Sequence, residues 1–168
     1  MTRASDSHLL TDQLRLMADE FGAETGYVDV TGDRSITFTE WDRESDRLAR
    51  GLIDAGVVQG DRVAVYLPPD EPLEWVVAYA AVHKAGGIAV PTNVRLAPRE
   101  LEYVLGHAGV VAAFAGRSTT AQLAEAAAAL PDLRWVVTTA DDRPATWAGW
   151  DDGGPKGAGS VQVPVGED

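Results

Sequence analysis

Apolar positions along this chain follow two periods in turn. Leu10, Leu14, Met17 and Phe21 recur at spacings of four, three and four, the one-face repeat of an amphipathic helix, and Gly22 supplies a stop. The β-rich runs Tyr27 to Val30 and Ser35 to Phe38 flank the turn Thr31-Gly32-Asp33-Arg34 and predict a hairpin. Thr39, with Asp42 three residues later, fits a capping box, in which hydroxyl and carboxylate each bond a free amide. The helix it opens places Trp41, Ser45, Leu48, Leu52 and Ile53 inward and ends at Gly56, since glycine enters a left-handed cap at little cost.

From Asp61 the pattern changes. Val63-Ala64-Val65-Tyr66-Leu67 is a short continuous apolar run, the form taken by a strand covered on both faces. Pro68-Pro69-Asp70 reads as a loop, and Pro72 suits the first turn of a helix carrying Trp75, Val76, Tyr79 and His83 inward. Gly86-Gly87 stops that helix. Ile88-Ala89-Val90 is a second strand, and Pro98 opens a helix with Leu101, Val104, Leu105 and Ala108 inward. Val110 to Phe114 is a third strand, Ser118 or Thr119 caps a helix containing Leu123 and Leu130, and Trp135 to Thr138 is a fourth strand. Strands alternating with helices over 63–138 imply parallel pairing. The expected fold is α/β: a three-layer parallel-sheet unit preceded by a helix-hairpin-helix segment.

Length and charge narrow the function classes. The 168 residues suit one domain, or one and a fraction. We expect an incomplete α/β subdomain over 1–140 and a Gly/Pro-rich acidic linker or tail over 141–168, with Trp147 and Trp150 arguing that part of the tail docks. With 14 basic and 26 acidic side chains the formal charge is −12, which repels phosphate backbones and anionic lipid heads, so no nucleic-acid partner is expected. No apolar stretch is long enough for a membrane span, and no apolar run of signal-peptide length opens the chain. With no cysteine there is neither a disulfide nor a thiolate metal site, and the expected compartment is the cytoplasm.

Several familiar chemistries are missing. No Gly-x-Gly-x-x-Gly follows a strand, and neither a Walker phosphate loop nor a Gly-x-Ser-x-Gly elbow occurs. His8, His83 and His107 are far apart in sequence and lack metal-ligand spacing, and His83 reads as a packed core residue. Gly153-Gly154-Pro155-Lys156-Gly157 has glycines beside a lysine, but no strand precedes it, so it reads as linker. No metal ligands and no catalytic residues are expected in this chain.

Two stretches are more specific. Ile36-Thr37-Phe38-Thr39-Glu40-Trp41 begins a helix that ends Leu52-Ile53-Asp54-Ala55-Gly56. Gly60-Asp61-Arg62-Val63-Ala64-Val65 then precedes Trp75 to Pro91, which contains Lys84-Ala85-Gly86-Gly87-Ile88-Ala89-Val90-Pro91, with Asn93-Val94-Arg95-Leu96 beyond. The first resembles the Thr-Tyr-x-Glu-Leu motif, and the second the Lys-Ala-Gly-x-x-x-Val-Pro motif, of the adenylate-forming (AMP-binding) superfamily. The resemblance covers about residues 10–140, and the Asn-x-Arg-Leu ending favours the acyl-CoA synthetase branch.

That resemblance implies a two-step reaction for a complete enzyme. A carboxylic acid substrate attacks the α-phosphate of ATP, with Mg²⁺ on the phosphates, and the thiol of coenzyme A then displaces AMP. It also implies that this chain is an N-terminal fragment, inactive alone and binding no cofactor by itself. The Ser/Thr/Gly-rich phosphate loop, the adenine- and ribose-binding segments and the C-terminal domain have no counterpart here. The expected partners are the remainder of a ligase chain, a companion polypeptide or a second copy, covering an apolar face and open strand edges. A non-enzymatic binding module on the same scaffold, or one half of a split ligase, are the alternatives. The glycines, Pro91 and Thr39 read as scaffold. Arg95 is the expected ligand contact: it lies in a strand-end loop, and the matching arginine of aroyl-CoA ligases is implicated in holding the nucleotide phosphate of coenzyme A. Val94 stands where that motif has proline. The alternative role for Arg95 is that of a solvated surface cation.

Overall fold

The computed structural model describes residues 9–152. Helix α1 (Leu10–Phe21) leads into the hairpin β1 (Thr25–Asp29) and β2 (Arg34–Thr37), and then helix α2 (Phe38–Asp54). The remainder alternates: β3 (Arg62–Tyr66), α3 (Pro72–Lys84), β4 (Ile88–Pro91), α4 (Pro98–Ala108), β5 (Val110–Ala115), α5 (Thr120–Ala127), β6 (Trp135–Thr138) and β7 (Ala148–Gly149). The expected α/β class, parallel sheet and helix-hairpin-helix preface are all present.

The five-stranded sheet has the order β4-β3-β5-β6-β7, and every pairing is parallel. Its core divides by the two-residue period of the strands. Val63, Val65, Ala112, Phe114, Trp135 and Val137 face the layer made by α2 and α3. Ala64, Tyr66, Ala113, Ala115 and Val136 face α4 and α5. Alternating side chains on a strand point to opposite faces, so continuous apolar runs are what a twice-covered sheet requires. The expectation of an exposed apolar face is therefore corrected: α2 and α3 cover one side and α4 and α5 the other.

Local differences have local causes. The cap of α2 is Thr37, not Thr39: its hydroxyl accepts from the Glu40 amide at 3.2 Å, while the Glu40 carboxylate accepts from the Thr37 amide at 2.9 Å. Thr37 retains an extended backbone (φ −77°, ψ 163°), whereas Phe38 is already helical, so Thr39 lies inside the first turn. Ile53 is 52% exposed because the buried stripe runs Ser45, Leu48, Ala49, Leu52, and Ile53 sits one step around the cylinder. Leu130 is buried as expected but falls beyond the end of α5.

Helix α3 has no fully exposed face, but Trp75, Tyr79 and His83, expected inward, are only half-buried and form its outer stripe. Leu73, Val76, Val77, Ala78, Ala80, Ala81 and Val82 are all buried, because α3 packs against β3 and β4 and also against α1, α2 and β1. A helix that is apolar all round is an interior helix. It leaves through Gly86, whose φ of +78° lets the chain turn back into β4. Part of the segment expected as linker or tail contributes to the sheet: β7 pairs with β6, Trp147 is buried, and Trp150 packs edge-on against Phe114 at 6.0 Å. The Gly153 to Gly157 cluster lies outside the described residues.

Candidate functional site

The chain enters the sheet at β3, steps to β4 on one side through α3, and crosses back over β3 through α4 to reach β5 on the other. The winding reverses between β3 and β5. In open parallel sheets the crevice outside the carboxyl ends of the strands at such a reversal is where ligands bind. Four turns meet that end: 67–71, 92–97, 116–119 and the stretch after Thr138.

Tyr66, the last residue of β3, is the hub. It is fully buried, and burial pushes its phenol above the ordinary range. Its hydroxyl donates to Gln122 Oε1 at 2.8 Å, and Gln122 Nε2 donates to the Leu96 carbonyl at 2.6 Å. The Tyr66 carbonyl accepts from the Thr119 hydroxyl at 2.7 Å and from the Gly116 amide at 3.2 Å. The 92–97 loop and the 116–119 turn are thereby tied to one strand end.

Glu71 makes the second tie. It is 5% exposed; its Oε1 accepts from the Arg117 amide at 2.9 Å and its Oε2 from the Thr139 hydroxyl at 2.7 Å. One carboxylate thus joins the turns after β3, β5 and β6. Gly116 is forced by the same crowding, since a Cβ there would lie 2.1 Å from Pro68 Cδ. The hydroxyls of Thr120 and Thr138 bond each other just beneath.

Arg95 lies in the 92–97 loop at this end, exposed, with its amide bonded to Asn93 Oδ1 at 2.9 Å in an Asx turn. The turn fixes the backbone, and no hydrogen bond or ion pair holds the guanidinium among the described residues. Sequence reading found Arg95 through its motif but missed Tyr66, Glu71, Arg117 and Gln122. Tyr66 hid in an apolar run and Glu71 among helix-start residues; a strand-end position was the available signal for both.

The other motif residues form a clamp away from this rim. Lys84, 4% exposed, donates to Asp42 Oδ1 at 2.6 Å, Asp46 Oδ1 at 2.7 Å and the Asp42 carbonyl at 2.8 Å, pinning α3 to α2. Arg34 grips Glu74 through both carboxylate oxygens, at 2.7 and 3.1 Å, and also reaches Asp29, which fastens the hairpin to α3. Glu74 and Asp29 push the Arg34 guanidinium further up, and the Gly32 amide, with Arg34, pulls Asp29 down. The Thr37 amide and hydroxyl pull Glu40 down. His83 meets the edge of Tyr79 at 4.6 Å, and its Nε2 is buried without a partner. Among the described residues no group of His, Asp or Glu is placed to hold a metal ion, and no helix is long and apolar enough to cross a membrane. A cavity of about 250 Å³ lies between the hairpin, α2, α3 and Trp150, and one of about 170 Å³ between α1, α2 and α3; neither is lined by Arg95 or Tyr66.

The family model described as AMP-binding enzyme matches residues 15–165. A Mycobacterium tuberculosis ligase named for joining coenzyme A to a methyl-dioxo-octahydroindenyl propanoate is 37% identical over 142 residues, covering 80% of this chain and 26% of the relative. A medium/long-chain-fatty-acid and 3-oxocholest-4-en-26-oate CoA ligase of Mycobacterium marinum is 30% identical over 112 residues, 67% of this chain and 20% of the relative. Among solved structures, a candidate long-chain-fatty-acid CoA ligase of Rhodopseudomonas palustris superposes with a TM-score of 0.78 at 26% identity, covering 88% of this chain and 36% of that one. The chain therefore spans between a fifth and about a third of the length of these relatives. By sequence and by fold this chain belongs to the AMP-binding enzymes and resembles the N-terminal subdomain of their CoA ligases.

Proposed function

We propose that this chain is the N-terminal portion of a cytoplasmic, ATP-dependent acyl-CoA ligase, and that alone it is inactive. Three relationships support the reading: the family match, the relatives named as CoA ligases, and the small share of each relative that the chain spans. In this reading residues 1–140 serve as the incomplete α/β subdomain and residues 141–168, which include β7, as its linker or tail. When bound to the complete enzyme, ATP and Mg²⁺ supply the adenylating chemistry, and coenzyme A supplies the thiol that displaces AMP from the fatty or aryl acyl adenylate.

This chain's own contribution is support and binding. The observation that carries the reading is Arg95: its loop follows a parallel strand at the winding reversal, its backbone is fixed by Asn93, and its guanidinium has no partner among the described residues. Arg95 takes a phosphate of the coenzyme A nucleotide, a charge-assisted contact made in ground and transition states alike.

Carboxylate-dependent exchange of pyrophosphate into ATP tests the whole. The isolated chain is expected to show none; exchange by the chain alone overturns the proposal, and exchange restored by a companion polypeptide assigns it to a split ligase. In the complete ligase, Arg95→Ala raises KM for coenzyme A about tenfold and leaves the exchange half-reaction unchanged. An unaltered KM removes Arg95.

A further inference from the structure

The loop carrying Arg95 is shaped from within but placed from outside. Asn93 Oδ1 accepts from the Arg95 amide at 2.9 Å, the Asn93 carbonyl from the Leu96 amide at 3.3 Å, and Glu100 from the Ala97 amide at 2.8 Å. These bonds set the form of residues 93–97 and their entry into α4, and none of them reaches the sheet. Thr92, just before, still donates its amide to the Val65 carbonyl at 3.1 Å and so extends the pairing of β4 with β3. Among the described residues, the one hydrogen bond from 93–97 to an element other than α4 comes from Gln122 on α5, whose Nε2 donates to the Leu96 carbonyl at 2.6 Å. Val94 and Leu96 also pack on the core layer under α4 and α5, but apolar contact has no preferred direction, whereas a hydrogen bond does.

Gln122 is itself held at both ends. At its base, the Thr119 hydroxyl donates to the Tyr66 carbonyl at 2.7 Å and the Thr120 hydroxyl to the Gly116 carbonyl at 2.8 Å, which fastens the start of α5 to the ends of β3 and β5. At its tip, Oε1 accepts from the buried Tyr66 hydroxyl at 2.8 Å. These partners leave the amide one orientation. A main-chain carbonyl only accepts, so Nε2 faces Leu96; Oε1 then faces Tyr66, whose hydroxyl must donate. Burial disfavours the phenolate and keeps that proton in place.

Arg95 is the residue before Leu96, and its exposed guanidinium has no hydrogen bond or ion pair among the described residues. A free side chain on a wandering loop incurs an ordering cost when it binds; the same side chain on a fixed backbone incurs less. Building on the reading of Arg95 as a contact for coenzyme A, we infer that Gln122 is a positioning residue for it. Gln122 carries the rigidity of the β3 end through the Leu96 carbonyl to the Arg95 backbone, and acts on binding through Arg95 alone.

The test is steady-state kinetics of the complete ligase with coenzyme A as the varied substrate. Gln122→Met keeps the length of the side chain and removes both bonds. It should raise KM for coenzyme A about fivefold and leave kcat within about twofold, the mark of weakened uniform binding. In an Arg95→Ala background the same change should add less than about twofold, since residues linked in one chain of contacts are not additive. A further rise of about fivefold in that background overturns the inference, because Gln122 then acts without Arg95. Gln122→Met also strands the buried Tyr66 hydroxyl and should lower the urea midpoint. Tyr66→Phe combined with Gln122→Met replaces both partners by apolar groups and should recover most of that loss while KM stays raised. Recovery of KM together with the midpoint makes Gln122 a residue of stability only and overturns the inference. If Arg95→Ala raises KM and Gln122→Met does not, the inference falls and the reading of Arg95 stands. If Arg95→Ala leaves KM unaltered, that reading falls and takes the inference with it.

Discussion

Lys84 offers the sharpest test of how the Lys-Ala-Gly motif works. Its side chain is 4% exposed, and its ammonium makes three hydrogen bonds, two to carboxylates and one to a carbonyl. Lys84→Met keeps the buried stem and removes the charge. Asp42 and Asp46, one helical turn apart on α2, are left as like charges, with Arg15, 4.0 Å from Asp46, the remaining ion-pair partner among the described residues. Breaking a fully buried pair from one side costs about 3–5 kcal/mol. The two aspartates keep 18% and 31% exposure, so water recovers part of that, and about 2–3 kcal/mol remains. With a urea slope near 2 kcal/mol/M for a domain of this size, the unfolding midpoint should fall by about 1–1.5 M. Neutralising the carboxylates as well, in Lys84→Met with Asp42→Asn and Asp46→Asn, should recover more than half of the loss. A shift under about 0.3 M, or no recovery in the triple variant, refutes the view that the clamp's strength lies in its buried charge.

Gly116→Ala forces a Cβ to 2.1 Å from Pro68 Cδ and should cost at least about 2 kcal/mol by thermal unfolding; a melting temperature within a degree of wild type would contradict the close approach. Thr37→Ala should destabilise by about 1 kcal/mol through loss of the cap of α2, and Thr39→Ala clearly less, as read from paired urea curves. Asp29 and Glu40 have folded-state pKa values below their ordinary 3.8 and 4.5. The unfolded chain therefore binds protons first, so their stabilisation is present above about pH 4.5 and disappears as pH falls through the folded values. Urea midpoints that stay level or rise between pH 5 and 3 would contradict that sign.

Much of the fold was legible because it rests on period. The continuous apolar runs of β3, β5 and β6 gave a twice-covered parallel sheet, and the four-three spacing gave α1 and α2. Strand order was not legible, since nothing in Val63 to Tyr66 says that β4 and β5 flank it on opposite sides. Thr37 and Thr39 both fit a capping pattern, and only the backbone at Phe38 decides between them. Strand β7 is two residues long, too short to show any period. The expectation of an open face failed because α2, which precedes the alternating segment in sequence, packs beside α3 on the same side. At the candidate site, Arg95 was legible only through its motif. Tyr66 and Glu71 act through bonds to residues more than 45 positions away, which no local pattern records.

The sheet's two outer strands also bear on how the protein behaves in a concentrated solution. One margin is the two-residue β7; the other is β4, whose last residue, Pro91, has no amide to donate. Extended, flat, unsatisfied margins are what recruit further chains into cross-β stacks. Among the described residues, each margin of the five-stranded sheet therefore offers few donors to an added strand.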